Sequence, residues 1–381
     1  MKKKLLYILS SLANHGGLER IVTDKLNWLA EHSQYEVFLL TFEQNGYSMA
    51  FPLHPMIIYE DLGVMIYTEY RYSGLKRMFY HYRLHKLLRE RLTLKISEIS
   101  PDIVICCQRL IMPDVETSKG KVPLIFECHS GFRGNELEGA SFLQHLKIRK
   151  CDSAIRKAQQ VVTLTNGDAS DWRKVNKHVV TIPNMVHLND TGKYSDCMSK
   201  SVIFVGRYDV QKDIGSLLKI WKIVNSRHPD WQLHLYGGYG SEQTKWMPMI
   251  EQMRANVYAH ESTSQIFDKY MESSMLLMTS VHEPFGLVLP EAMSCGLPVV
   301  SFDCPYGPAD IISDGVDGFL IKDRNIVVFA DRVCQLIENE EIRVRMGKAG
   351  ILSSQRYRAD RIMPQWLELF KQVVHSKDCR L

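Results

Sequence analysis

Short apolar runs, each followed by glycine or polar residues and then by a helix-like repeat, recur along the whole chain. In the first half they are Leu5–Ser10, Tyr35–Phe42, Met56–Asp61, Asp102–Cys107, Pro123–Cys128, Gln160–Thr165 and His178–Ile182. Their apolar character is continuous rather than alternating, which predicts strands covered on both faces, as in a parallel sheet. Between them, Ile21, Leu26, Trp28 and Leu29 repeat at helical spacing. A polar stretch, Val186–Lys200, then reads as a linker. A second set of strand runs follows: Ser201–Val205, Gln232–Tyr236, Met275–Thr279 and Val299–Phe302. Asn325 to Tyr357 predicts two helices, and Met363–Val374 a last one. The pattern is α/β, in two parallel-sheet domains.

Composition changes this picture little. A chain of 381 residues, 45% hydrophobic and 24% charged, suits two globular cores. Its net charge of +4 is too mild to argue for nucleic acid. Nine scattered cysteines with no C-x-x-C spacing read as reduced cytosolic thiols, neither a disulfide framework nor a zinc site. The start, MKKKLLYILSSLA, imitates a signal peptide. Its apolar run is short, and Gly16-Gly17 leads straight into a helix, so a first strand is expected instead. No uninterrupted apolar stretch is long enough to span a bilayer.

The candidate chemistry concentrates between Val281 and Ile321, VHEPFGLVLPEAMSCGLPVVSFDCPYGPADIISDGVDGFLI. Glu283 and Glu291 bracket a tight turn, Phe285-Gly286-Leu287. Pro290 and Glu291 suit the first turn of a short helix that Gly296 ends. Strand, glycine turn and helix N-terminus form an anion cradle, suited to phosphate. The flanking carboxylates are placed to accept hydrogen bonds from sugar hydroxyls, so a nucleotide sugar is expected there. Upstream, Val205-Gly206-Arg207-Tyr208-Asp209-Val210-Gln211-Lys212 sets two cations after a strand-end glycine. They suit a diphosphate, Arg207 with its planar fork and Lys212 as a point charge. Gly16 and Gly17 make a similar turn after the first strand, but not the G-x-G-x-x-G of a dinucleotide dehydrogenase. His129, ending Glu127-Cys128-His129, sits at the carboxyl end of a strand. Ligands bind there in α/β folds, although a structural histidine fits as well.

EPFGLVLPEAMSCGLPVV resembles the E-x7-E region of retaining glycosyltransferases of family 4, which have the GT-B fold. The resemblance spans nearly all the chain and is sharpest over residues 201–321. It implies two Rossmann-like domains facing each other across a cleft. Residues 1–186 would bind acceptor and residues 187–362 the nucleotide sugar, with a helix at 363–381 packing back on the first. It implies a hexosyltransferase moving a hexose or N-acetylhexosamine from a UDP-sugar to a glycan or polyprenyl-linked acceptor in surface polysaccharide synthesis. Glu283 and His129 would be catalytic. Gly16, Gly17, Arg207, Lys212, Phe285, Gly286, Leu287 and Glu291 would hold the donor. No D-x-D occurs, so no metal cofactor is expected. His129 lacks the acidic neighbour common in the family, Ser130 standing there, and Asp310 stands where a glutamate is commoner. Gly237-Gly238-Tyr239-Gly240 resembles the family's glycine loop, and Ser262 to Gln265 are expected near the base. A sugar-nucleotide epimerase or hydrolase, or a non-catalytic sugar-nucleotide binder, is the alternative.

One further segment stands out. Leu75 to Ile96 carries seven lysines and arginines against Glu90, and Leu75, Phe79, Tyr82, Leu88 and Leu92 are expected on one helical face. Two uses are open: an apolar face packed on the core, or a basic helix lying on an anionic membrane. The second implies a cytoplasmic protein peripheral to the inner face of the cell membrane.

Overall fold

The computed structural model describes residues 2–132, 142–237, 240–253 and 255–378. The chain divides into two compact units. One comprises Met1–Leu164, Ala169–Ile182 and Met363–Leu381, and the other Thr165–Asp168 and Pro183–Ile362.

The N-terminal unit contains β1 (Lys4–Ile8), α1 (Gly17–His32), β2 (Glu36–Thr41), β3 (Ile58–Asp61), α2 (Gly74–Ile99), β4 (Ile103–Cys106) and α3 (Met112–Ser118). It continues with β5 (Leu124–Glu127), α4 (Phe142–Ile155), β6 (Gln160–Thr163), most of α5 (Asn166–Trp172) and β7 (Val179–Thr181). The strands form one seven-stranded sheet, β3-β2-β1-β4-β5-β6-β7, parallel throughout. The lysine-rich start therefore leads into an inner strand, where Leu5 to Ile8 are fully buried. Leu6, Ile8, Val104, Leu124, Phe126 and Val161 pack with Leu88 and Leu92 of α2 into a single core.

The C-terminal unit runs through β8 (Ser201–Val205), α6 (Ile214–Arg227), β9 (Gln232–Tyr236), α7 (Gln243–Gln252), β10 (Val257–His260), α8 (Ile266–Met271) and β11 (Met275–Met278). After these come α9 (Val288–Ser294), β12 (Val299–Phe302), α10 (Gly307–Ile311), β13 (Gly318–Ile321), α11 (Ile326–Glu338) and α12 (Glu340–Ser354). Its six strands are also parallel, in the order β10-β9-β8-β11-β12-β13. Asn325 and Asn339 cap α11 and α12, accepting the N–H groups of Val327, Val328 and Ile342. The last helix, α13 (Ala359–Asp378), joins the N-terminal unit from Met363 onward. There Phe370 meets Tyr35 edge to face at 5.6 Å.

In both sheets the strand order reverses once, between β1 and β4 and between β8 and β11. A doubly wound sheet opens a crevice at the carboxyl ends of its strands at such a reversal, and ligands bind there. The loops after β1, β4, β8 and β11 are thus the ones placed to carry chemistry.

Two expectations need correcting. The helix after Gly286 begins at Val288, two residues earlier than Pro290 and Glu291 suggested. Pro290 still falls in the first turn, where a missing N–H costs nothing. In α2 the five apolar residues do not share a face: at 3.6 residues per turn, Leu88 is about 240° around the helix from Tyr82. His85, Leu88, Leu92 and Ile96 face the core. Leu75, Phe79 and Tyr82 lie outside it, 84%, 60% and 64% exposed. Among the described residues no helix is long and apolar enough to cross a membrane.

Candidate active site

The loop after β8 and the loop after β11 are stitched together in the C-terminal unit. Val281 N–H donates to the Gln211 carbonyl at 2.8 Å, and Gln211 Nε2 to the His282 carbonyl at 3.0 Å. Thr279 Oγ1 donates to the Lys212 carbonyl at 2.9 Å. Lys212 Nζ then forms an ion pair with Glu283 Oε2, which also accepts from Ser280 Oγ at 3.1 Å. Glu283 is 8% exposed, so each charge answers the burial of the other. Its backbone binds the loop after β12, accepting from the N–H groups of Tyr306 and Gly307 at 2.9 Å each.

Gly286 adopts φ +95°, which a side chain resists, and a Cβ added at Gly307 would lie 1.8 Å from the Phe285 carbonyl oxygen. The turn that follows Glu283 therefore depends on glycine at both places. Phe285 is buried and meets Tyr357 edge to face at 5.3 Å. Leu287 caps α9. Glu291, inside α9, is buried and accepts from Tyr270 Oη at 3.3 Å. Arg207 keeps an exposed guanidinium beside Asp209 at 3.0 Å. Burial pushes the Cys304 thiol, whose neighbours include Glu283, and the Cys295 thiol up to about 12. Neither is a thiolate at neutral pH, so neither offers a nucleophile.

Two supporting residues, Asp213 and Arg324, carried no sequence signal. Asp213 caps α6, accepting the Ser216 N–H at 3.0 Å, and pairs with Arg324 at 2.5 Å. Arg324 also donates to the Ser280 carbonyl at 2.7 Å. It thereby ties the start of α6 to the residue beside Glu283. Asp310 Oδ2 accepts the Asn166 N–H at 2.6 Å. Gly238 and Tyr239 of the glycine loop lie outside the described residues. The loop's Gly237 lines a cavity of about 160 Å³ with Tyr208, His260 and Ser262.

The N-terminal unit has a site at its own reversal point. Leu18, Gln108, Arg109, Glu69, His85 and His129 share the wall of a cavity of about 460 Å³. Gly16 caps α1 and Gly17 opens it, immediately before Leu18. His129 Nε2 lies 2.8 Å from Glu127 Oε1, and Glu127 also pairs with Lys25. Burial raises the Glu127 carboxyl, but Lys25 and His129 outweigh it and hold it at about 2. His129 is thus anchored to a buried carboxylate as it lines the cavity. Burial also drives the Cys107 thiol and the Tyr7 phenol, both near Glu127, well up from their usual ranges. All eight described cysteines are buried.

Residues 193–352 match the family model of glycosyl transferases group 1. The matched residues include both loops that hold Arg207, Lys212, Glu283 and Glu291. Along nearly its full length the chain is 26% identical to an uncharacterized glycosyltransferase of Haemophilus influenzae, over 96% of this chain and 99% of that protein. It is 27% identical to the amylovoran biosynthesis glycosyltransferase AmsD of Erwinia amylovora, over 96% of this chain and 99% of that protein. In three dimensions it is similar to TarM of S. aureus, crystallised as a mutant with fondaparinux, alpha-GlcNAc-glycerol and UDP. That similarity has a TM-score of 0.76 at 17% identity, over 97% of this chain and 99% of that one.

Proposed function

We propose that this glycosyltransferase moves a hexose or N-acetylhexosamine from a UDP-sugar to a glycan or polyprenyl-linked acceptor, retaining anomeric configuration. The observation that carries the reading is the Lys212–Glu283 pair at the β8/β11 reversal, beside the Gly286 turn. As the glycosidic bond breaks, negative charge grows on the departing diphosphate. Arg207, Lys212 and the backbone N–H groups around Gly286 are placed to stabilise it. Glu283 holds the donor sugar and steadies the positive charge that develops on its ring. Glu291 accepts from ribose hydroxyls, and the cavity beside Tyr208 and Ser262 takes the base. His129 and the Gly16-Gly17 turn serve the acceptor side. With no carboxylate assigned as a covalent nucleophile, the acceptor attacks from the face the diphosphate leaves. The bound UDP of TarM and the polysaccharide named for AmsD support the choice of donor and pathway.

Calorimetric titration with UDP, GDP and ADP tests this. UDP is expected to bind at micromolar concentration, with or without EDTA, and Glu291→Ala is expected to abolish that binding. Absence of binding by any of the three nucleotides would remove the reading.

The acceptor side carries a second expectation. Leu75, Met78, Phe79 and Tyr82 are exposed on the same stretch of α2 as Lys76, Arg77, Arg83 and Lys86. Apolar and aromatic side chains amid cations suit an anionic lipid surface. Vesicles containing anionic lipid are expected to sediment the protein at low salt, and Leu75→Ser/Phe79→Ser to release it. Failure of the wild-type protein to sediment would dismiss membrane docking.

A further inference from the structure

Helix α2 sets His81 and His85 one turn apart, so their rings face the same side, with centroids 4.2 Å apart. Facing them is Glu69, from a 3-10 helix at Ile66–Arg71, nearly buried and with Oε2 2.7 Å from His81 Nδ1. Arg77 lies 3.7 Å from the other carboxylate oxygen of Glu69, leaving Oε2 to the histidines. One ligand atom from each of Glu69, His81 and His85 lies within 4.8 Å of the others.

The decisive detail is the far side of His85. Its Nδ1 lies 2.6 Å from Asp114 Oδ2, and Arg89 holds the other Asp114 oxygen at 2.9 Å. A carboxylate there keeps the proton on Nδ1, which leaves Nε2 as a lone-pair donor. His85 is nine-tenths buried, and its Nε2 has no hydrogen-bond partner among the described residues. A buried polar atom without a partner is costly in a simple hydrogen-bond network. Carboxylate, histidine and an outward lone pair is also how proteins orient a metal-binding imidazole.

We propose that Glu69, His81 and His85 bind a divalent transition metal of the zinc class, with Asp114 as the positioning residue for His85. Two imidazoles and one carboxylate are donors that zinc accepts, whereas calcium and magnesium prefer all-oxygen sites. Bonds of about 2.0–2.2 Å put tetrahedral ligand atoms about 3.3–3.5 Å apart. The site therefore closes by roughly an ångström on binding, which the half-exposed His81 ring permits by exchanging its hydrogen bond to Glu69 for the metal. Glu69 and His85 also line the larger cavity of this unit, so the remaining coordination position is reachable from there. Bound metal would pin the 3-10 helix to α2 at the end of that helix's exposed aromatic stretch. The site is independent of the donor chemistry, which lies on the other unit.

The test uses the full chain, stripped with chelator, desalted, and titrated with zinc and cobalt chloride. One ion per chain is expected, with the visible absorption of four-coordinate cobalt and a higher melting temperature in zinc. His81→Ala and His85→Ala are each expected to abolish binding and the cobalt spectrum, and Asp114→Asn to weaken affinity about 10- to 100-fold. Should His85→Ala fail to fold, His81→Ala decides alone, because its ring is partly solvent-exposed. No binding by the folded wild-type chain, or binding that survives His81→Ala, overturns the proposal, the second by placing the ion elsewhere.

Discussion

Lys212→Ala is expected to lower kcat by about 100- to 1,000-fold, the range for removing one preorganised group that meets charge growing in a transition state. UDP-sugar affinity should fall much less, since the diphosphate carries more charge on departure than in the bound sugar nucleotide. Glu283→Gln keeps the shape of the side chain and removes its charge, and a loss of similar size is expected. The two residues share one ion pair, with Ser280 on the same carboxylate oxygen. The double variant should therefore be little worse than the worse single one. Steady-state kinetics on the three variants, with circular dichroism to confirm folding, makes the measurement. Full additivity would mean that the residues act separately, and wild-type kcat in either single variant would remove it from the site.

The second large effect concerns stability. Lys25 and Glu127 form a buried ion pair with His129 beside it, and the Lys25 ammonium sits 3.7 Å from the Trp366 ring centroid. Lys25→Met strands a buried carboxylate and is expected to cost about 3–5 kcal/mol. Lys25→Met/Glu127→Gln should recover part of that loss, because no lone charge is left inside. Glu127 also sets a pH dependence. Its carboxyl is at about 2 in the folded chain against an ordinary 4.5. Its contribution is thus fully present above pH 4.5 and drains away as the pH falls from there through about 2. The difference corresponds to roughly 3 kcal/mol. Urea unfolding between pH 3 and 7 should show this slope in the wild type and a flatter one in Glu127→Gln. An unchanged slope would mean that Glu127 is not held as a buried anion.

Much of the architecture was legible because a parallel strand buried on both faces writes itself as a continuous apolar run, and nearly every such run became a strand. The glycine turn at Gly286 and the cations near Lys212 were legible for a related reason: backbone shape and charge leave local marks. What stayed hidden was pairing at a distance. Lys212 and Glu283 were read as two separate contacts to one ligand, whereas the fold sets them on each other across the reversal of the sheet. Asp213 and Arg324, 111 residues apart, form their bond only because β8, β11 and β13 belong to one sheet. Lys25 gave no sign of burial, since its partner lies on β5 and its aromatic cover on α13. In α2 a run of apolar residues was taken for one stripe, because composition hides angular position. The helix outruns the sheet it packs on, and its first turns keep a surface of their own.

The return of α13 has a consequence for biogenesis. The C-terminal unit is continuous from Pro183 to Ile362 apart from four residues, whereas the N-terminal unit takes in Trp366 and Phe370 of α13. During synthesis the stretch made first cannot seal Lys25 under its aromatic cover until α13 has been made. The unit made second has all its strands in hand before then. Completion therefore runs against the order of translation, and the finished first sheet waits for its last helix with the Lys25–Glu127 pair open to water.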